Sequence, residues 1–246
     1  MPTSNPTVDI QDIDAVILAG GLGKRLRKAV SDRPKVMAEI NGKPFLYYVL
    51  DQLSEIDIKR VVISTGYMAD KIEEVIGFSY KGLKVDYSWE ESPLGTGGAL
   101  KLAGQSISTK YCLVMNGDSY TEFDATTFYL AHKQKNANIT LVVKTLDETE
   151  RFGVVCKNEN NEIIDFMEKG SNKRAGFINT GVYLMKTSAL QKIPDKAPCS
   201  LEYDFFPAMI GKNIYGYEAK GRFIDIGTPE SYAKAEAFFE QKPVSV

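Results

Sequence analysis

Ala15-Val16-Ile17-Leu18-Ala19-Gly20-Gly21-Leu22-Gly23-Lys24-Arg25 is the stretch from which the rest of the chain is read. A short, unbroken apolar run closed by glycines reads as a strand buried on both faces, the habit of a parallel sheet. Working outward, Leu46, Val49, Leu50 and Leu53 recur at helical spacing, and Arg60 to Ser64 is the next strand. Ala69 to Ile76 reads as a helix, Lys84 to Trp89 as a strand, Gly97 to Ala103 as a short helix and Tyr111 to Met115 as a buried strand. Ala125 to Asn136 and Ile139 to Lys144 continue the alternation as helix and strand. Alternating elements of this kind predict an α/β fold with a mostly parallel, doubly wound sheet. After Thr145 short strands at Gly153 to Cys156, Ile163 to Met167 and Phe177 to Met185 follow without long helices, and read as a smaller β-rich lid. Ile214 to Tyr217 and Arg222 to Ile226 read as a strand pair among the last helices. The expected organisation is an arm at 1–12 and one domain at 13–246, its halves meeting between 145 and 146.

A chain of 246 residues buries roughly 70–75% of the surface its unfolded form exposes, so its core needs neither disulfides nor a structural metal. Thirty basic against 32 acidic residues give a net charge of −2, which argues against a nucleic-acid or membrane-surface binder. Cys112, Cys156 and Cys199 are widely spaced, and with one histidine, His132, they make no zinc ligand set. Free thiols suit the cytosol, and with neither a signal-peptide pattern nor an apolar run of transmembrane length the expected location is cytoplasmic. His132 reads as solvated in a polar helical stretch, and Trp89 as core or rim.

Glycines at the end of a strand let backbone N–H groups approach phosphate oxygens, and Lys24 and Arg25 add charge. Leu26 stands where a dinucleotide fingerprint has its third glycine, and Arg25 follows the lysine where a Walker A loop has Ser or Thr. The continuation is more specific. GGLGKRL at 20–26, followed by Pro34-Lys35-Val36, resembles the sugar-1-phosphate nucleotidylyltransferase signature, commonly GGxGTRLxP and then PKP. Lys24 replaces the usual Thr and Val36 the second Pro. Glu90 to Ala99, Asn116-Gly117-Asp118, Glu168-Lys169, Asn179 to Tyr183 and Phe223 to Pro229 resemble further motifs of that family in the right order.

The resemblance implies a nucleotide site at Leu18, Ala19, Gly20, Gly21, Gly23, Lys24, Glu90, Gly95 and Thr96. It implies a sugar-phosphate site at Gly153, Glu168, Lys169, Asn179, Thr180 and Glu202, with Arg25, Lys35 and Asp118 catalytic. Asp118 and Asp225 would hold Mg²⁺, whose hard oxygen ligands they supply. Nucleotidyl transfer crowds phosphates together, so the chemistry asks for cations: Arg25 on the triphosphate, Lys35 on the α-phosphate and the incoming sugar phosphate, Lys169 on the sugar phosphate's other side.

Glu90 stands where thymidylyl- and uridylyl-transferring relatives often carry glutamine. A carboxylate accepts from guanine's ring N–H and its amine together, which favours GTP, although some relatives with glutamate use UTP. INGKPFLYYVL at 40–50, STGY at 64–67 and EESPLGTGGAL at 90–100 are most similar to D-glycero-α-D-manno-heptose 1-phosphate guanylyltransferases, bacterial enzymes that make GDP-heptose for surface polysaccharides or glycoproteins. Mannose-1-phosphate guanylyltransferases and N-acetylmuramate-1-phosphate uridylyltransferases share much of the pattern. From other classes, a glycosyltransferase of related fold would usually show Asp-x-Asp, whereas Ser119 and Tyr120 follow Asp118. A non-catalytic sensor should have lost one of the cations or carboxylates, and all are present. The expected partners are a nucleoside triphosphate and a sugar 1-phosphate, without nucleic acid or membrane, and a homodimer is left open.

Overall fold

The computed structural model describes residues 13–21, 23, 25–26, 32–167 and 175–241. The arm expected at Met1 to Asp12 lies outside the described residues. In chain order the strands are β1 (Ile13–Leu18), β2 (Glu39–Ile40), β3 (Lys43–Pro44), β4 (Arg60–Thr65), β5 (Ser79–Tyr80), β6 (Leu83–Trp89) and β7 (Tyr111–Asn116). They continue with β8 (Ser119–Thr121), β9 (Ile139–Leu146), β10 (Val154–Lys157), β11 (Ile163–Met167), β12 (Gly176–Lys186), β13 (Ile214–Glu218) and β14 (Phe223–Asp225). Among the helices, α1 is Phe45–Glu55, α2 Ala69–Ile76, α3 Gly95–Ala103, α4 Ala125–Gln134, α5 Thr187–Leu190, α6 Phe206–Ala208, α7 Pro229–Ala233 and α8 Ala235–Glu240.

β7, β1, β4 and β6 run side by side in parallel at the centre of the main sheet. Their apolar runs are continuous because both faces are covered. Ile13, Ala15 and Ile17 of β1 pack into one apolar cluster while Val16 packs into the other; Tyr111, Leu113 and Met115 of β7 divide from Cys112 and Val114 in the same way. Phe45, Leu46, Val49, Leu50 and Leu53 of α1 cover the first face. Leu100 and Ala103 of α3, with Leu201, Phe205 and Phe206, cover the second. Each such large side chain taken fully from water contributes about 1.5–3 kcal/mol, so the doubly wound arrangement follows from the apolar pattern.

In the second half, β12 pairs antiparallel with β7 through Val182 to Lys186 and also with β9 and β10, so the later strands extend the same sheet. β13 lies parallel to β9, and β14 pairs with β8 in a separate small ribbon. This corrects the expected pairing of Ile214–Tyr217 with Arg222–Ile226. A hairpin is short enough to join them, but β13 finds five registered partners on β9, and β14 is drawn to β8 instead.

His132 is also not solvated: it is 1% exposed. It lies four residues after Phe128 on the inner face of α4, and its Nδ1 is 2.8 Å from the Thr140 hydroxyl. Burial, with Lys186 and Lys133 nearby, pushes its pKa down to about 4, so the ring is neutral in the core. Trp89 is exposed at the end of β6. Among the described residues no helix is long and apolar enough to cross a membrane.

Candidate active site

The glycine turn leaves β1 at the carboxyl edge of the parallel strands. The Ala19 N–H donates to the Ser64 carbonyl at 2.8 Å, and the Gly117 N–H donates to the Leu18 carbonyl at 2.9 Å, which ties the ends of β1, β4 and β7 together. Leu18 is half-buried there, Gly21 is exposed, and Gly23 turns back at φ 58°. Lys24 lies outside the described residues. Glu90, just beyond β6, folds back over this turn. A Cβ on Gly20 would stand 2.3 Å from Glu90 Oε1, so only glycine admits the carboxylate there. Its other oxygen accepts the Leu94 N–H at 3.0 Å. Burial raises the Glu90 carboxyl above its usual range, and the Leu94 bond opposes the rise only in part.

Beside the turn, a cavity of about 410 Å³ is lined by Arg25, Lys35, Asp118, Gly153, Asn179, Thr180, Glu202 and Asp225. The expected catalytic and metal residues and the described sugar-phosphate residues therefore share one chamber; Glu168 and Lys169 lie outside the described residues. Lys35 comes from a short helical turn after Pro34, and its ammonium donates to Asp118 Oδ2 at 2.6 Å. The Lys35 side chain is 11% exposed and that of Asp118 40%, so the carboxylate is the more open partner.

Asp225 reaches the chamber through the small ribbon: it is registered opposite Ser119, and the Ile226 N–H donates to the Asp118 carbonyl at 3.0 Å. The Gly227 N–H donates to Asp225 Oδ2 at 2.8 Å, and Thr228 and Ser231 form a capping box that begins α7 directly behind. A Cβ on Gly227 would lie 2.5 Å from Asp225 Oδ2 and 3.5 Å from Lys35 Nζ, which places the lysine beside both carboxylates. Arg151, which the sequence reading passed over, holds the outer side of Asp225 at 3.2 and 3.4 Å.

Two carboxylates facing one cavity fit a magnesium ion that takes its remaining oxygens from phosphate and water. Among the described residues no group of three or more His, Cys, Asp or Glu could hold a metal, so the two aspartates are not a complete ligand set by themselves. Each carboxylate also has a cation of the chain beside it, Lys35 at Asp118 and Arg151 at Asp225.

The Thr96 hydroxyl donates to Glu202 Oε2 at 3.0 Å and accepts the Leu201 N–H at 2.8 Å, so it faces the sugar-phosphate residue. Gly95, at φ 75°, packs with Gly97 on the Cys199 backbone, docking the nucleotide loop onto the same segment. Ser200 adds a second hydroxyl to Glu202 Oε2 at 2.9 Å. Behind it, burial and then the Glu202 charge raise the Tyr183 phenol well above its usual range, and Tyr183 accepts the Asn179 amide at 2.9 Å. Thr180 donates to the Val142 carbonyl at 2.9 Å, so toward the cavity its oxygen can only accept. Asn116, also on the wall, has a buried Oδ1 without a hydrogen-bond partner.

A chamber at the carboxyl ends of parallel strands, holding cations and carboxylates together, is suited to crowded phosphate groups. The chain belongs to the nucleotidyl transferase family, whose model matches residues 14–242. It is 39% identical over 225 residues to the D-glycero-alpha-D-manno-heptose 1-phosphate guanylyltransferase of Aneurinibacillus thermoaerophilus, covering 91% of this chain and 97% of that protein. Identity to the mannose-1-phosphate guanylyltransferase of Mycobacterium tuberculosis is 32% over 229 residues, 92% of this chain but only 64% of the mycobacterial one. Crystal structures of HddC from Yersinia pseudotuberculosis superpose with a TM-score of 0.83 alone and 0.81 complexed with GMP-PN, at 35% identity, covering 92% of this chain and 99% of HddC.

Proposed function

We propose that this protein transfers GMP from GTP to D-glycero-α-D-manno-heptose 1-phosphate, giving GDP-heptose and pyrophosphate. The observation that carries the proposal is the single cavity in which Arg25, Lys35, Asp118 and Asp225 meet the Gly153, Asn179, Thr180 and Glu202 wall. The full-length similarity to a heptose 1-phosphate guanylyltransferase supports the choice of sugar. A phosphate oxygen of the sugar 1-phosphate attacks the α-phosphorus of GTP, and the bond from that phosphorus to the β-phosphate oxygen breaks, releasing pyrophosphate.

The residues act by position and charge. Arg25, exposed on the cavity lining, clamps the triphosphate with its planar fork. Lys35 stands beside the carboxylates and neutralises charge where the two phosphates meet. Glu202, steadied by Thr96 and Ser200, accepts from sugar hydroxyls. Leu18, Ala19, Gly20, Gly21 and Gly23 cradle the triphosphate, and Glu90 reads guanine. Asp118 and Asp225 would hold magnesium, which when bound would neutralise phosphate charge. In this reading 13–145 is the nucleotide half and 146–246 the sugar-phosphate half of one domain, working in the cytosol and feeding surface polysaccharide synthesis.

Four nucleoside triphosphates tested against a panel of sugar 1-phosphates, with pyrophosphate release as readout, check the proposal. GTP with the heptose 1-phosphate should give the highest kcat/KM. Preference for mannose 1-phosphate or for UTP would replace the substrates, and no release with any pair would remove the enzyme reading.

A further inference from the structure

Arg151 directly precedes Phe152 and Gly153 on the cavity wall, and its guanidinium carbon lies 5.5 Å from the Phe152 ring centroid. One of its terminal nitrogens approaches both oxygens of Asp225, at 3.2 and 3.4 Å, and the Ser231 hydroxyl at 3.4 Å. These are long contacts for a charge-assisted bond, whose usual range is about 2.7–2.9 Å. Arg222 shows the other extreme. It commits Nε and both terminal nitrogens to Glu122 and to the Phe238 and Gln241 carbonyls, locking β14 to α8. Arg222 is a fastener. Arg151 is half-exposed, rests one nitrogen on a carboxylate among the described residues, and directly precedes two residues of the cavity wall.

We propose that Arg151 is a partner-exchanging cation: it holds Asp225 until a divalent ion takes that carboxylate, and then turns to the phosphate of the sugar 1-phosphate. The inference deepens the reading given above and rests on it for the sugar phosphate. The exchange follows from charge. Arg151 pairs with Asp225 and Lys35 with Asp118, so each of the two carboxylates facing the cavity has a cation beside it. Once an ion neutralises Asp225, a guanidinium left beside it is repelled by the ion and drawn to the nearest anion. Its planar fork matches a phosphate better than a lysine would.

The consequence is a pair of effects with opposite signs. Removing Arg151 lifts a competitor from the metal site while removing a phosphate ligand. In nucleotide-free protein, Mn²⁺ titrated by electron paramagnetic resonance should bind Arg151→Gln about two- to fivefold more tightly than wild type, the fold-change for a partly exposed ion pair. For the sugar 1-phosphate that wild type uses best, KM should rise on the order of tenfold, as for a lost charged hydrogen bond. Arg151→Lys, which retains the charge, should bind Mn²⁺ like wild type and recover part of the KM. Unchanged or weaker Mn²⁺ binding in Arg151→Gln would overturn the exchange. The Mn²⁺ titration needs no substrate, so it stands or falls separately from the pyrophosphate assay: a wild type that turns over no substrate pair refutes the activity and leaves the metal result readable.

Discussion

Opposite ends of the same parallel strands carry similar charges to different ends. Toward the amino ends of β1, β4 and β6, Arg60 bonds Asp86 at 2.7 Å, Asp14 at 3.0 Å and the Ser106 carbonyl at 2.7 Å. Asp14 is 5% exposed, and its backbone N–H is taken up by Thr109. At the carboxyl ends, Lys35 and Asp118 open onto a cavity, and Arg151 rests loosely on Asp225. Both ends hold two carboxylates and their cations. A closed network spends its charge on holding strands; an open one keeps partners that an incoming phosphate or ion can replace. Accessibility, more than charge itself, marks the reactive end.

The largest test is at the open end. Asp118→Asn and Asp225→Asn should each lower kcat by about 10³ or more, while the double variant should be little worse than either, because residues acting as a unit do not add. Their melting temperatures should stay near wild type, since neither side chain belongs to the core clusters. Strictly multiplicative losses in steady-state rates would separate the two carboxylates. Lys35→Ala comes next, with kcat lower by roughly 10²–10³, the cost of losing a preorganised donor where charge develops. GTP affinity measured by calorimetry without sugar phosphate should fall much less. Equal losses would reduce Lys35 to a binding residue and blur the contrast between the ends.

At the closed end the effect should move from rate to stability. Arg60→Met leaves Asp14 buried without its cation; full burial would cost about 3–5 kcal/mol, and the partial exposure of Arg60 brings this to about 2–3 kcal/mol. For a chain of this size that lowers the melting temperature by roughly 5–10 °C. kcat/KM at a temperature where both proteins are folded should be unchanged. A fall in kcat/KM comparable to that of Lys35→Ala would mean that the two ends are coupled.

Much of the open end was readable in sequence because its parts sit in motifs: a glycine turn after an apolar run, Pro34-Lys35, and Asn116-Gly117-Asp118 ending a strand. What stayed hidden depends on pairings without a periodic signal. Asp225 joins Asp118 through three-residue strands, too short for alternation to announce a partner, and not through the main parallel sheet. Thr96 reads locally as a nucleotide-loop residue, yet it meets Glu202, which is 106 positions away. Arg151 had one available sign, its place beside Phe152-Gly153, but nothing local says that it faces Asp225. His132 looked solvated because its neighbours in sequence are polar, while the residue four positions earlier, Phe128, sets the face that is buried.

The smallest effect concerns base choice, where the open end should discriminate without much change in rate. Glu90 offers guanine two acceptor oxygens, one now on the Leu94 N–H and the other against Gly20. Glu90→Gln replaces one acceptor by a donor that faces guanine's own donors, so the GTP-to-UTP ratio of kcat/KM should narrow by about tenfold, within the 1–3 kcal/mol cost of one unsatisfied buried hydrogen bond. The pH profile supplies a second sign. Burial raises the Glu90 carboxyl above its ordinary 4.5, so protonation begins at a higher pH than for an exposed glutamate. As pH falls through that raised value the carboxylate loses an acceptor, GTP should lose its advantage over UTP, and the ratio should decline toward that of the variant. Glutamine does not titrate, so Glu90→Gln should show a flat ratio over the same range. Parallel profiles for wild type and variant, or an unchanged ratio at neutral pH, would take Glu90 out of base recognition and leave it as a brace for the Leu94 loop.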